Sequence, residues 1–149
     1  MKCGSNLLGA GRQQSAADIF LFDAIIQNAD RSAQKPNLLS SGGEFAMIDH
    51  EQGLPFLMDE TGREPWLPED TGYLAKHVFL ASLRGHAVDL TVFQDQFMRL
   101  DQSTIQGYFT QFPIEWNARE KDCTRFWDYV SQVQSKFDQV SLNVKTLLR

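Results

Sequence analysis

The residues best suited to chemistry in this chain are two aspartates, Asp30 and Asp49, which lie in different predicted loops beside short predicted strands. In phosphoryl transfer, one carboxylate orients the attacking hydroxyl and another holds Mg²⁺. The stretch from Asp23 to Phe56 contains both acids. We therefore take a phosphoryl-transfer centre as the first hypothesis, and the neighbouring elements have to position its two carboxylates.

A predicted helix precedes the first acid. Ser15 is its predicted N-cap, with Asp18 three residues later as in a capping box. The helix is predicted from about Ala16 to Asn28, and apolar residues cover most of its circumference, which indicates burial. Asp23 is the exception. Because a buried acid needs hydrogen-bond partners, we predict that Asp23 is a structural hub for the loop that follows.

A β-hairpin is predicted between the two acids. Pro36 ends any helical continuation of the polar loop before it. The predicted parts are a strand over Asn37–Ser40, a turn at Ser41–Gly43 and a returning strand over Glu44–Ile48. Asp49 and His50 follow the second strand directly, so the hairpin separates the two acids along the chain.

The remainder of the chain is predicted to be mainly helical. A packed loop with three prolines and three glycines covers residues 53–72. Helices are predicted over 73–83, 89–100, about 103–111 and about 119–148, with Asp89 and either Ser103 or Thr104 as caps. In the last of these, apolar residues repeat with a period of 3.5 from Phe126 to Leu147. Two interpretations are open: a long helix packed along the domain, or the seam of an oligomer.

Length and composition limit the class of protein. The 149 residues predict one domain over residues 15–149, preceded by an irregular arm over residues 1–14. The net charge of −5 argues against non-specific nucleic-acid binding and against an anionic membrane surface. Gly9 and Gly11 do not complete a dinucleotide-binding or P-loop pattern.

Targeting and redox signals predict a cytoplasmic protein. The first residues lack the apolar core of a signal peptide, and no apolar run is long enough to span a membrane. The two cysteines, Cys3 and Cys123, are too few for a disulfide scaffold and lack the spacing of a zinc site. Free thiols in a reducing compartment are therefore expected.

Three motifs together resemble the HipA-like kinase domain family, a branch of the protein-kinase-like fold. They are IFLFDAIIQ from Ile19, NADRSAQKPNLL from Asn28 and AMIDHEQGLPF from Ala46, in the order and spacing of that family. The segment HVFLASLRG from His77 is compatible but less specific. The resemblance implies a mainly α-helical fold with a small β-hairpin, similar to the C-terminal lobe of a protein-kinase-like fold.

The resemblance also implies roles for individual residues, with ATP and Mg²⁺ as cofactors. Asp30 is expected to accept the proton of the substrate hydroxyl or to orient that hydroxyl, and Arg31 to brace the same loop by pairing with an acid. Asp49 is expected to chelate Mg²⁺, and Asn37 also belongs to the family pattern as a candidate ligand. The structural support is expected to come from Asp23, Asn28 and His50.

Two departures from the family pattern bear on activity. The asparagine that ligates a second Mg²⁺ is expected five residues after Asp30, and Lys35 stands there instead. An ammonium group cannot ligate a metal, so Lys35 is expected either to compete for the cation's place or to contact a phosphate. Fourteen residues before Ser15 cannot build a glycine-rich loop and a strand lysine, so the N-terminal lobe is expected to be absent.

These observations leave two main functions open. The first is a kinase C-terminal lobe that transfers phosphate from ATP to a protein or small-molecule hydroxyl once a partner supplies the N-terminal lobe. The second is a degenerate, non-catalytic kinase lobe that forms a homo- or hetero-oligomer through uncovered apolar surface. A metal-dependent phosphohydrolase is weaker, because His77 and His86 show no ligand spacing with the two acids.

Overall fold

The structure is a computed structural model and describes residues 9–58, 63–116 and 120–149. Within these residues the chain is mainly helical, with one two-stranded antiparallel hairpin, as predicted. The α-helices are α1 Ala10–Ile26, α2 Leu80–Leu83, α3 Thr91–Phe97, α4 Gln102–Phe109, α5 Glu120–Ser135 and α6 Phe137–Leu147. The strands are β1 Leu38–Ser41 and β2 Glu44–Met47. Three 3₁₀ helices cover Pro55–Met58, Pro68–Lys76 and Ile114–Trp116.

Helix α1 begins earlier than the sequence predicts. Gly9 precedes its first residue, and the amide of Gln13 already donates to the Gly9 carbonyl at 3.0 Å. Ser15 therefore lies inside the helix, where its hydroxyl donates to the Gly11 carbonyl at 3.3 Å, and its predicted role as N-cap is wrong. Residues 10–14 of the predicted arm are helical, whereas residues 1–8, including Cys3, lie outside the described residues.

The C-terminal end of α1 is fixed by donors from distant parts of the chain. Gln27 adopts a left-handed conformation and ends the helix. The last carbonyls of a helix have no partner within it, so each needs a donor from elsewhere. The carbonyls of Asp23, Ala24, Ile25 and Ile26 accept hydrogen bonds from the Asn28 amide, the Tyr73 hydroxyl, the Tyr129 hydroxyl and the Leu54 amide. The turn that leads to the first acid is thereby held in one place.

The hairpin forms where it is predicted, but Ser41 belongs to β1 and the turn is formed by Gly42 and Gly43 alone. Leu38 pairs with Met47 and Ser41 with Glu44. Gly42 and Gly43 both have positive φ angles, +58° and +98°. A tight two-residue turn needs such angles, and glycine adopts them more easily than residues with a Cβ atom. The face of β2 towards the core packs through Phe45, whose ring centroid lies 5.0 Å from that of Phe79.

The predicted C-terminal helix is interrupted. One continuous helix to Leu148 was predicted, but α5 ends at Ser135 and α6 begins at Phe137, because Lys136 leaves helical geometry (φ −117°, ψ 18°). The predicted start at Arg119 lies outside the described residues. Apolar residues of the 3.5 repeat are buried in the cores of the same chain, namely Val130, Val133, Phe137, Val140 and Val144. The repeat therefore packs within the domain.

The shorter helices differ from prediction mainly at their starts. The predicted helix 73–83 is a 3₁₀ helix, Pro68–Lys76, followed by α2. Leu90 is the N-cap residue of α3, and the predicted cap Asp89 lies one residue earlier, where its carboxylate accepts from the Thr91 amide at 3.0 Å. Helix α4 is capped by Asp101, which accepts from the Thr104 amide at 2.7 Å, so the predicted cap at Ser103 or Thr104 is wrong.

The main hydrophobic core lies between α1 and the C-terminal helices. Phe20 and Leu21 of α1 are fully buried against a cluster that includes Phe137 and Val140. This contact explains why α1 is apolar nearly all round. Among the described residues, no helix combines the length and the hydropathy needed to cross a membrane.

Candidate functional site

Asp23 lies fully buried in α1, where three side chains surround its carboxylate. Arg31 donates through Nε to Oδ2 at 2.5 Å and through Nη2 to Oδ1 at 3.3 Å. The side-chain amide of Asn28 donates to Oδ1 at 3.0 Å, and Nε2 of His77 lies 2.9 Å from Oδ2. The backbone amide of Phe79 donates to Nδ1 of His77, which places the ring proton on Nε2, where it faces Asp23. The buried carboxylate is therefore fully hydrogen-bonded.

The electrostatic balance keeps Asp23 ionised. Burial opposes the charged form most strongly, but the hydrogen bonds from His77 and Arg31, together with the charge of Arg31, outweigh it and lower the pKa of the carboxyl. Arg31 is equally buried. A buried ion pair costs desolvation of both groups, so both need several hydrogen bonds to persist in the core. We call the set formed by Asp23, Asn28, Arg31 and His77 the Asp23 network.

The Asp23 network ties three separate segments together. Nη1 of Arg31 donates to the Asn37 carbonyl at 2.5 Å, which connects the network to the start of the hairpin. The Arg31 carbonyl accepts from the Val78 amide at 3.0 Å, and Ser32 pairs with His77 in an isolated antiparallel bridge. The Asn28 side-chain oxygen accepts from the amide of Asp30 at 3.1 Å. These hydrogen bonds hold the loop that carries Asp30 in one position.

The two candidate acids meet at Lys35. Its Nζ lies 2.6 Å from Oδ2 of Asp30 and 3.2 Å from Oδ2 of Asp49. The side-chain amide of Asn37 donates to the same oxygen of Asp30, Oδ2, at 3.2 Å. We call these four residues, Asp30, Lys35, Asn37 and Asp49, the acid–lysine cluster. The structure thus brings together four residues that the sequence singles out on both sides of the hairpin.

The acid–lysine cluster is open to solvent, in contrast to the network below it. The side chains of Asp30, Asp49 and Lys35 are 28%, 35% and 51% exposed. The hydrogen bond from Lys35 lowers the pKa of Asp30, and the hydrogen bonds to Asp30 and then to Asp49 raise the pKa of Lys35. Lys35 is therefore a protonated counter-ion, and its exposed ion pairs exchange easily because solvent screens them.

The backbone at the cluster adopts conformations that most residues avoid. Asn37 has a φ of +49° and Asp49 a φ of +57°. Asparagine and aspartate tolerate this left-handed region better than other residues, although it still stores strain. The Ile48 amide donates to the Asn37 carbonyl at 3.0 Å and links the two positions across the hairpin base. From these positions the Asp49 carboxylate contacts Lys35, and the Asn37 side-chain amide contacts Asp30.

Two remaining residues stand apart from the cluster. His50, predicted as support, packs its ring edge-on against Phe22, with the ring centroids 5.8 Å apart. His77 belongs to the Asp23 network, although the sequence offered no role for it. It is 54 residues from Asp23 along the chain, so no local spacing signals the contact. The motifs themselves indicate Asp23, Asn28 and Arg31 of this network.

The donor chemistry of the acid–lysine cluster suits Mg²⁺ in part. Two carboxylates and an amide side chain are the kinds of oxygen ligand that Mg²⁺ takes. Among the described residues, however, no group of three or more His, Cys, Asp or Glu side chains is placed to hold a metal. A cation at Asp30 and Asp49 would need further oxygens, for which Asn37 and a phosphate are candidates, and Lys35 would have to move aside.

Comparison with known proteins identifies the family. The sequence model of the HipA-like kinase family matches residues 10–143, which is most of the chain. The chain therefore belongs to the HipA-like kinase family, as its motifs predict. Searches among curated proteins and among solved structures gave no match.

We predict that Asp23→Asn lowers the free energy of unfolding by about 3–5 kcal/mol at neutral pH, because Arg31 would lose its buried counter-charge. The pKa of Asp23 is lower in the folded chain than its ordinary value of 3.8. Its contribution is therefore complete above that value and is lost as the pH falls towards the folded pKa. Urea denaturation across this range should show a steep acid loss in the wild type and a shallower one in Asp23→Asn.

The exposed substitution Asp95→Asn on α3 serves as the matched control, since it removes one carboxylate outside the network. It should leave both the unfolding free energy and its pH dependence close to wild type. Equal effects of the two substitutions would contradict the assignment of the network as the main stabilising polar contact.

Proposed function

We propose that this chain contributes the catalytic half of a HipA-like kinase, similar to the C-terminal lobe of a protein-kinase-like fold. In this role it transfers the γ-phosphoryl group of ATP to a hydroxyl on a protein or a small molecule. The observation that carries the proposal is the contact of Lys35 Nζ with both Asp30 and Asp49. It puts two acids of the family motif around one cation position, as phosphoryl transfer requires.

Asp30 is the proposed catalytic residue. As the acceptor oxygen bonds to the γ-phosphorus and the bond to the β,γ-bridging oxygen breaks, Asp30 takes the hydroxyl proton and ADP leaves. Its depressed pKa means that the carboxylate is ionised and able to accept a hydrogen bond from the acceptor. Arg31 positions Asp30 through the Asp23 network, since its guanidinium is buried and faces away from solvent.

Asp49 and Asn37 are the proposed metal-binding residues. Mg²⁺ bound there would neutralise the charge of the nucleotide phosphates. Asp49 is fixed at the base of β2 and presents a partly exposed carboxylate to that position. Lys35 supplies a positive charge beside the same phosphates, either in place of a second metal or by direct contact, and its exposed side chain is free to swing between acid and phosphate.

The nucleotide needs a further covering element. Within the described residues the strands are β1 and β2, and neither carries the lysine that follows a glycine-rich loop in kinases. We therefore include in the proposal an N-terminal lobe supplied by a partner chain. Without it, the chain is expected to bind ATP weakly and to be inactive.

The test is phosphoryl transfer by a complex of this chain with the product of an adjacent reading frame that encodes a glycine-rich loop and a strand lysine. Wild-type complex should bind ATP in the presence of Mg²⁺ and transfer labelled phosphate. Asp30→Asn should keep ATP binding and lower transfer by about 10²–10⁴-fold, the usual contribution of a general base. Asp49→Asn should weaken Mg²⁺-dependent ATP binding as well, whereas Asp95→Asn should change neither. Transfer unaffected by Asp30→Asn would contradict the assignment.

Lys35→Asn should strengthen divalent-cation binding, because it removes the ammonium that holds both carboxylates and adds an amide oxygen. We expect the affinity for Mn²⁺, measured by electron paramagnetic resonance, to rise about tenfold or more, equivalent to about 1.4 kcal/mol. Lys121→Asn on the exposed face of α5 is the control for net charge and should leave affinity unchanged. Equal Mn²⁺ affinities in wild type and Lys35→Asn would show that Lys35 does not compete for the site.

A second candidate function is a non-catalytic interaction module. It is favoured by exposed apolar side chains around the 3₁₀ helix Ile114–Trp116, where Ile114 is 89% and Trp116 68% exposed. Beside them lies a largely apolar groove of about 500 Å³ that Tyr108, Phe109 and Phe126 help to line. Such patches commonly mark association surfaces. Concentration-dependent sedimentation of this chain, together with no ATP binding by its complexes, would favour this function over the kinase.

A further inference from the structure

An open groove of about 640 Å³ lies beside the loop that carries Asp30. One wall is formed by Ala33 and Gln34, three and four residues after Asp30. The other wall comes from the segment around Lys76 and from α2, which contributes Ala81. Arg84 follows α2 and closes one end. Because its first wall is the loop that carries Asp30, a ligand in this groove contacts the same loop as the proposed catalytic carboxylate.

The Asp23 network holds the two walls of this groove together. Ser32 and His77 form an antiparallel bridge beneath it, and the Val78 amide donates to the Arg31 carbonyl at 3.0 Å. His77 also contacts the buried carboxylate of Asp23 at 2.9 Å. The groove is therefore a preformed feature whose position relative to Asp30 is fixed, and binding there need not be preceded by ordering of its walls.

The charge of the groove is opposite to that of the protein. The groove is lined by two basic side chains, Lys76 and Arg84, and by no acidic side chain among the described residues. Both are exposed, and in the described part of the chain neither forms a salt bridge. The chain as a whole carries a net charge of −5. Two unpaired cations in a groove of an acidic protein favour an anionic ligand.

We propose that this groove binds the phospho-acceptor, and that the acceptor is an extended peptide segment with acidic residues flanking its hydroxyl. This inference rests on the proposed kinase function, because it assigns the substrate class of the same site. Lys76 and Arg84 contact the acidic side chains, and the acceptor hydroxyl lies at the Asp30 end.

The shape of the groove favours a peptide over a small anion. Small-molecule sites are usually enclosed and mostly apolar. Here the lining side chains at positions 33, 34, 75, 76, 81 and 84 are exposed along an open channel. Three of them are alanines, whose small side chains leave room for a chain segment.

The test is binding of fluorescein-labelled peptides to the full chain, followed by fluorescence anisotropy. The probes are Glu-Asp-Glu-Ser-Glu-Asp-Glu, a matched peptide with lysine and arginine in place of the acids, and a Gly-Ser peptide. The acidic peptide should bind more tightly than the other two, and added salt should weaken it. In the double charge reversal Lys76→Glu/Arg84→Glu, its affinity should fall about tenfold or more, and the basic peptide should gain affinity.

The matched control is Arg99→Glu/Lys121→Glu, which makes the same change in net charge at exposed positions outside the groove. It should keep most of the affinity for the acidic peptide. Ala81→Trp fills the groove without altering the charge, so it should also weaken binding of the acidic peptide. This variant tests the groove even if the charge reversal does not fold. Equal losses in the reversal and its control, or no preference for the acidic peptide, would overturn the proposal.

Other outcomes separate this inference from the kinase proposal. Competition by inorganic phosphate or free glutamate as strong as by the peptide would show a small-anion site and overturn the peptide assignment. Peptide binding at Lys76 and Arg84 without phosphoryl transfer by any complex would contradict the kinase proposal alone. Transfer to an acceptor that is insensitive to the double reversal would contradict the groove alone.

Discussion

The structure depends on one buried negative charge, the carboxylate of Asp23. It lies in the last turn of α1, two residues from the fully buried Leu21, where an unpaired carboxylate would be strongly unfavourable. Its partners come from three places: the turn after α1, the loop that carries Asp30, and the segment at His77. Because each partner is also bonded to its own segment, satisfying this one charge fixes how the three segments meet.

The site has two layers with different physical properties. The lower layer, the Asp23 network, is buried and hydrogen-bonded, so its members act by positioning. The upper layer, the acid–lysine cluster, is partly exposed, and its ion pairs exchange with solvent and ligands. A buried network beneath an exposed acid–lysine cluster suits a site in which the Lys35 ammonium has to give way to another cation. The groove at Lys76 and Arg84 shares the same base through His77.

The sequence predicted those features that local patterns determine. The hairpin and its Gly42–Gly43 turn follow from the need for positive φ angles, and the Asp30–Arg31 motif indicated the family and a pairing acid. The break at Lys136 was missed because the apolar repeat continues across it with unchanged spacing. The early start of α1 was missed because Ser15 mimics a cap while lying inside the helix.

The sequence could not indicate contacts between distant segments. His77 was set aside because it has no ligand spacing with the acids, whereas its partner is the buried Asp23, 54 residues away. The convergence of Asp30 and Asp49 was expected from the family motif, but the position of Lys35 between them is a matter of side-chain geometry. The groove is likewise a product of tertiary structure, since its two walls come from separate segments.

The central claim is that Asp23 is an anion held in the core by Arg31 and His77. The most direct measurement is the ¹³C chemical shift of its side-chain carboxyl in the wild-type chain, titrated by NMR between about pH 2 and pH 7. With the Arg31 guanidinium and the His77 ring donating to it, this carboxyl should have a pKa below its ordinary value of 3.8. A pKa at or above 3.8 would mean that burial outweighs these hydrogen bonds and the charge of Arg31, and Asp23 would then not be the anion on which the site is built.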